Sequence, residues 1–195
     1  MTIMKQLRTA FLILVVFSIL FGVVYPLVMT GIAQLFFSHR ANGSMITSNG
    51  RIIGSKLIGQ QFLFPTYFHS RPSDCNNNAT SSSSFNLGPS NPELFKQVQE
   101  RINRVRAENE MSDTVLVPAD LVLASGSGLD PEISPQSAFL QVSRIAKSRN
   151  LPIELVRQLV INKTQQPFIG VFGQPRVNVL TLNLALDSIS GQNRH

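Results

Sequence analysis

Tryptophan is absent from this 195-residue chain, tyrosine occurs twice and cysteine once. With no Trp and little Tyr, a platform on which sugars or nucleic-acid bases would stack is not expected. The single thiol, Cys75, excludes an intramolecular disulfide, a cysteine zinc site and a Cys-x-x-Cys redox pair. It sits in an Asn/Ser-rich loop and leaves the compartment open. Also missing are a Gly-x4-Gly-Lys-Ser/Thr phosphate loop, a Rossmann glycine fingerprint and a His-Glu-x-x-His motif. No Asp-Lys-Thr-Gly phosphorylation motif occurs. His39, His69 and His195 stand far apart without ligand companions, so neither a metal site nor a catalytic residue is read. The net charge is +6, but its cations are dispersed from Arg101 to Lys163. They read as solvated helix faces, and no nucleic-acid partner is expected.

The longest absence is of charge. From Thr9 to Ser38 there is no Asp, Glu, Lys, Arg or His. An apolar run of this length reads as a membrane-spanning helix. At about 1.5 Å per residue it would reach roughly 45 Å, more than the hydrocarbon core of about 30 Å, so it tilts, kinks or protrudes. Pro26 supplies a kink point, because it lacks an N–H and its ring crowds the carbonyl of Gly22. Ser18, Gly22, Pro26, Thr30 and Gln34 recur at every fourth position. That slowly winding stripe of small and polar residues suits a face for partner helices. The run continues past the length of a signal-peptide core, so a retained anchor is expected.

The expected organisation is a short cytoplasmic tail (1–8), a transmembrane helix (9–38), a juxtamembrane connector (39–50) and a soluble domain (51–195). Charges flanking the helix are balanced; the short basic N-terminus favours the inside, which places the domain outside. Residues 70–92 are rich in Ser, Asn and Pro, with only Phe85 and Leu87 to bury, and predict a long mobile loop. Asn91-Pro92, Ser134-Pro135 and Leu151-Pro152 each announce a helix start. The first carries an apolar stripe of Leu94, Val98, Ile102 and Val105, with Lys96, Arg101, Arg104 and Glu108 opposite. The second, ending near Asn150, buries Ala138, Val142, Ile145 and Ala146. The third buries Leu155, Leu159 and Val160. Arg51 to Ile53 starts a strand, Pro118 to Leu123 suits a short helix, and Val177 to Leu186 alternates like a strand whose last part could be helical. The fold class is therefore α+β: one N-terminal transmembrane helix, then one mixed α/β domain.

Ser125, Gly126, Ser127 and Gly128 form the best candidate binding loop, since successive N–H groups in a glycine turn can cradle an anion. A structural turn is the competing reading. A serine nucleophile here would need His69 as its base.

Several long motifs, in order, resemble the C-subunit family of the bacterial Kdp potassium-transporting ATPase. They are Val24-Tyr25-Pro26 with Gln34, Gly54-Ser-Lys-Leu-Ile-Gly-Gln-Gln-Phe62, Tyr67-Phe-His-Ser-Arg-Pro-Ser73 and Asn86-Leu-Gly-Pro-Ser-Asn-Pro92. Val117-Pro-Ala-Asp-Leu121, Ala124-Ser-Gly-Ser-Gly-Leu-Asp130 and Pro175-Arg-Val-Asn-Val-Leu-Thr-Leu-Asn-Leu-Ala-Leu-Asp187 follow. The departures, at Asp74-Cys75 and Ser82-Ser-Ser-Phe85, lie in the polar loop. The resemblance implies a non-catalytic accessory subunit of an ATP-driven potassium pump in the inner membrane. Its partners would be the larger potassium-translocating and ATP-hydrolysing subunits. It implies a role in assembly, and also a proposed role in raising the catalytic subunit's affinity for ATP. No cofactor of its own is expected; ATP would come through the catalytic subunit, with Ser125 to Gly128 as the contact if the chain binds nucleotide directly. The alternative is a membrane-anchored enzyme or solute-binding module.

Overall fold

The computed structural model describes residues 2–48 and 50–192; His195 lies outside them. The chain forms two compact units, Met1–Met45 and Ile46–His195.

The first unit is helical: α1 (Thr2–Ile19), a π turn (Leu20–Val24) and α2 (Tyr25–Ala41). Ile3–Ala41 is long and apolar enough to cross a membrane. The helix thus extends beyond 9–38 at both ends and uses the first part of the expected connector. The π turn answers the difficulty posed by Pro26. The Tyr25 N–H bonds back to the Leu20 carbonyl, five residues earlier, and this wider turn gives the proline ring room. It also straightens the small-residue stripe. Four residues turn about 400° in an α-helix but nearer 330° at roughly 4.4 residues per π turn, so the two drifts offset around Gly22. A second break falls at Phe37 (φ −136°, ψ 32°). Across it, the Gln34 and Asn42 side-chain amides exchange two hydrogen bonds, at 3.2 and 3.3 Å.

β1 (Met45–Ser48), which but for Met45 falls in the second unit, pairs with β2 (Arg51–Ser55). The expected connector 39–50 therefore ends in a strand. After a 3-10 turn at Ala79–Ser81 comes α3 (Pro92–Glu108), and after a second at Ala119–Leu121 come β3 (Glu132–Ile133), α4 (Pro135–Arg149) and α5 (Ile153–Lys163). β4 (Thr164–Gln165), β5 (Arg176–Asn178) and α6 (Val179–Gln192) complete the unit. The sheet order is β3-β5-β4, antiparallel throughout, with Val177 opposite both Ile133 and Thr164.

All three announced helix starts are present. Asn91 Oδ1 accepts the Glu93 N–H of α3. The Ser134 hydroxyl accepts the Ser137 N–H, while the Asp120 carboxylate accepts from Ser134 and Ser137. This places an anion at the positive end of α4. The core joins Ile133 and Val177 to Ala138, Val142 and Ile145 of α4, Val156, Leu159 and Val160 of α5, and Val179, Leu182 and Leu186 of α6.

Three readings need correction, and the 70–92 loop shows polar bonding that its composition does not announce. Val177 to Leu186 is mostly helix: the buried positions of its helical part, Val179, Leu180, Leu182, Asn183 and Leu186, gather on one helical face. Leu155 is exposed, and Val156 takes the buried place. Arg101 faces inward, donating to the Val122 carbonyl and pairing with Asp74 at 3.1 Å. The 70–92 loop is tied down by polar bonds rather than by Phe85, which is exposed. Asp74 accepts from Ser84, from the Phe85 N–H and from Arg101. Short polar side chains bonding to backbone replace apolar burial here.

Gly59 marks a close approach. Its N–H donates to the Leu129 carbonyl at 2.7 Å, and a Cβ would lie 2.6 Å from the Asp130 carbonyl oxygen. Gly59→Ala should cost about 1–3 kcal/mol through overpacking. An unchanged denaturation midpoint of the detergent-solubilised chain would contradict that contact.

Candidate functional site

Residues 65–69 have no strand partner among the described residues, yet each carbonyl in this segment is hydrogen-bonded by a side chain. Arg144 Nη1 donates to the Pro65 and Tyr67 carbonyls. Arg149 Nε donates to the Thr66 carbonyl at 2.7 Å. Asn183 Nδ2 donates to the Phe68 carbonyl at 3.0 Å, while its Oδ1 accepts the Phe68 N–H at 2.9 Å. Gln141 Nε2 donates to the His69 carbonyl and its Oε1 accepts the His69 N–H, at 3.2 and 2.7 Å. Two side-chain amides thus act as substitute strand neighbours, one from α4 and one from α6. The clamp answers the requirement that buried backbone groups be paired. Arg149 also stacks over the Tyr67 ring and pairs with Asp187, which accepts from the Tyr67 hydroxyl.

Beside the clamp lies a cleft of about 300 Å³, bounded by 61–63, 69–77 and the inner face of α3. His69, Arg71, Arg104, Glu108 and Gln141 contribute to its lining. His69 Nε2 faces the Phe64 carbonyl at 3.1 Å, and Nδ1 faces Glu108 at 3.3 Å. A neutral imidazole has one N–H for these two acceptors. Both acceptors favour a second proton, but burial and then the nearby Arg144 charge outweigh them and hold the His69 pKa below its ordinary 6.5. Arg144 is likewise lowered by burial.

A depressed histidine pKa fixes a pH dependence. Between the folded value and 6.5, the unfolded chain binds more protons, so stability rises with pH through that window and levels off above it. His69→Gln should flatten the thermal-unfolding profile of the solubilised chain below neutral pH. A slope as steep as that of the unsubstituted chain would refute this assignment.

The Ser125 to Gly128 loop lies against the polar loop instead. The Ser73 hydroxyl donates to the Gly128 carbonyl at 2.6 Å, Asn77 Nδ2 donates to the same carbonyl, and the Ser82 hydroxyl donates to the Ser127 carbonyl. The Ser125 and Gly128 N–H groups bond to the Pro72 and Ser125 carbonyls. Gly128 sits at φ +69°, with room for no Cβ, since Cys75 Sγ would be 2.4 Å away. The Ser73 hydroxyl, bonded to Cys75, lowers that thiol's pKa. Ser125 and Ser127 do not line the cleft that His69 lines, so the structure does not assemble a serine–histidine pair there. The stripe Ser18, Gly22, Pro26, Thr30 and Gln34 belongs to the other unit. A Cβ on Gly22 would meet nothing within 4 Å, so this face is open; Gln34 is bonded to Asn42.

The family model described as "K+-transporting ATPase, c chain" matches residues 7–188. The chain belongs to the KdpC family. Among similar relatives is the potassium-transporting ATPase KdpC subunit of Beijerinckia indica, 51% identical over 187 residues, covering 95% of this chain and 94% of the relative. The KdpC subunit of Acidobacterium capsulatum is 49% identical over 188 residues, covering 95% and 100%. That of Mycobacterium tuberculosis is 46% identical over 187 residues, covering 95% and 99%. The KdpC match includes the apolar helix and the clamped domain together.

Sequence reasoning missed Gln141, Arg144, Asn183 and Asp74 as organising residues. A signal was present for two of them. Gln141 falls within the apolar stripe Ala138, Val142, Ile145, and Asn183 falls among the leucines of α6. A polar residue at a core-facing position needs a partner.

Proposed function

We propose that this chain is the non-catalytic accessory subunit of an ATP-driven potassium uptake complex, holding the larger potassium-translocating and ATP-hydrolysing subunits together. The observation that carries this reading is one membrane-length helix among the described residues and a folded domain, both covered over most of their length by one KdpC match. The helix is anchored in the inner membrane with its N-terminus cytoplasmic and the domain outside. Its Ser18, Gly22, Pro26, Thr30 and Gln34 face packs on partner helices. Small residues admit close backbone approach, and the π turn keeps Ser18, Gly22 and Pro26 nearly in line. Gly22→Leu should therefore abolish most co-purification of the large subunits with the tagged chain, while its own membrane insertion persists. Full recovery of the complex with Gly22→Leu would remove the stripe from the interface.

A second reading gives the chain a part in raising the ATP affinity of the hydrolysing subunit through Ser125, Gly126, Ser127 and Gly128. It is favoured by the Gly126 and Ser127 N–H groups, which make no hydrogen bond among the described residues. ATP-dependent protection of the 125–128 loop from proteolysis in the intact complex would support it. Cleavage of that loop from outside sealed right-side-out vesicles would place it away from cytosolic nucleotide and defeat direct contact.

A further inference from the structure

The segment between β4 and β5 is a built hairpin with an apolar end. Phe168 and Phe172 form an antiparallel bridge, exchanging N–H to carbonyl bonds of 2.9 and 3.0 Å. The Gly170 N–H donates to the Pro167 carbonyl, and Gly170 lies at φ +74°. At the end of this hairpin Phe168, Ile169, Val171 and Phe172 are 72%, 75%, 76% and 68% exposed. Ile169 adopts φ +54°, a conformation that disfavours β-branched residues. Neither backbone preference nor packing within the domain accounts for isoleucine there. A contiguous apolar end of this kind marks a contact surface.

Charge indicates what the surface meets. No acidic residue occurs between Glu154 and Asp187, whereas Arg157, Lys163 and Arg176 fall in that stretch. Lys163 closes α5 just before the hairpin, exposed and without an ion pair among the described residues. Arg176, paired with Glu132, leaves it on the other side. Phenylalanine and aliphatic side chains with flanking bases are the composition of interfacial membrane anchors, and basic residues near an anionic leaflet add attraction. The chain also carries its own route to the bilayer, since α2 ends at Ala41 and β1 starts at Met45.

We propose that the 168–172 hairpin end inserts into the headgroup layer of an anionic bilayer, giving the domain a second membrane attachment. The inference depends on the membrane anchor but not on the identity of the pump partners.

The test uses the full chain, Cys75→Ser and Val171→Cys, spin-labelled at residue 171 and incorporated in phospholipid nanodiscs; incorporation itself reports the anchor. The label should collide more with oxygen than with a water-soluble nickel reagent. This preference should increase when phosphatidylglycerol is added to phosphatidylcholine, and a label at Lys96→Cys should show neither effect. Water-like collision at residue 171 in both lipids overturns the proposal. So does a label shielded from both reagents only when the larger subunits are present, which would assign the hairpin to a protein partner.

Discussion

Replacing Asn183 by leucine should lower the unfolding free energy of the domain by about 4 kcal/mol. The substitution strands the Phe68 N–H and carbonyl, both bonded to Asn183 beside a fully buried ring. Each orphaned group costs roughly 1–3 kcal/mol. Leucine keeps the branched heavy-atom skeleton and its methyl groups are bulkier than the amide atoms, so no cavity forms. Such a loss approaches the whole stability of many domains, about 5–15 kcal/mol. Denaturant unfolding of the detergent-solubilised chain, followed by a probe in the domain, measures it. Gln141→Leu makes the matched comparison, because Gln141 bonds the next residue in the same way. If Asn183→Leu shifts the midpoint no more than an exposed substitution, Asn183 does not hold the segment.

Asp74→Ala should have the next largest effect, about 3–5 kcal/mol. The Asp74 side chain is only 7% exposed and pairs with Arg101, itself 19% exposed. Removing one partner from such a pair leaves the other charge without compensation. The same carboxylate also holds Ser84 and the Phe85 N–H, so the loss extends along the polar loop. Hydrogen exchange should show faster exchange in residues 74–85, with little change in α4. Exchange unchanged in both places, together with an unchanged midpoint, would mean that the Asp74–Arg101 pair contributes nothing. Replacing both Asp74 and Arg101 with apolar residues should recover part of the loss, because no lone charge remains.

The legible features were those with local causes. The apolar helix is visible in the absence of charge from Thr9 to Ser38, and α3, α4 and α5 are visible at their caps and prolines. α6 was obscured because Leu180, Leu182, Leu184 and Leu186 alternate like a strand. Helical burial of Val179, Leu182 and Leu186 emerges only when β5 ends at Asn178. β3 and β4, with two residues each, carry too little pattern to read. The candidate site was harder still. Arg101 looked like part of a charged outer face because nothing local reveals that Asp74 comes to meet it. The bonding of the polar loop was hidden because a count of its apolar residues misses what Ser73, Asp74 and Asn77 bond. The clamp has the same character: its members are separated along the chain by 72 to 115 residues at His69–Gln141 and Phe68–Asn183.

That separation has a consequence during synthesis. Translation proceeds from the N-terminus, so 65–69 leaves the ribosome well before Gln141 and Arg144, and Asn183 follows Phe68 by 115 residues. Throughout that interval its carbonyls have water as their partner. The segment can reach its final conformation only after α6 has been made. A nascent chain truncated before α6 would carry the complete Tyr67-Phe-His-Ser-Arg sequence with half of its amide support missing.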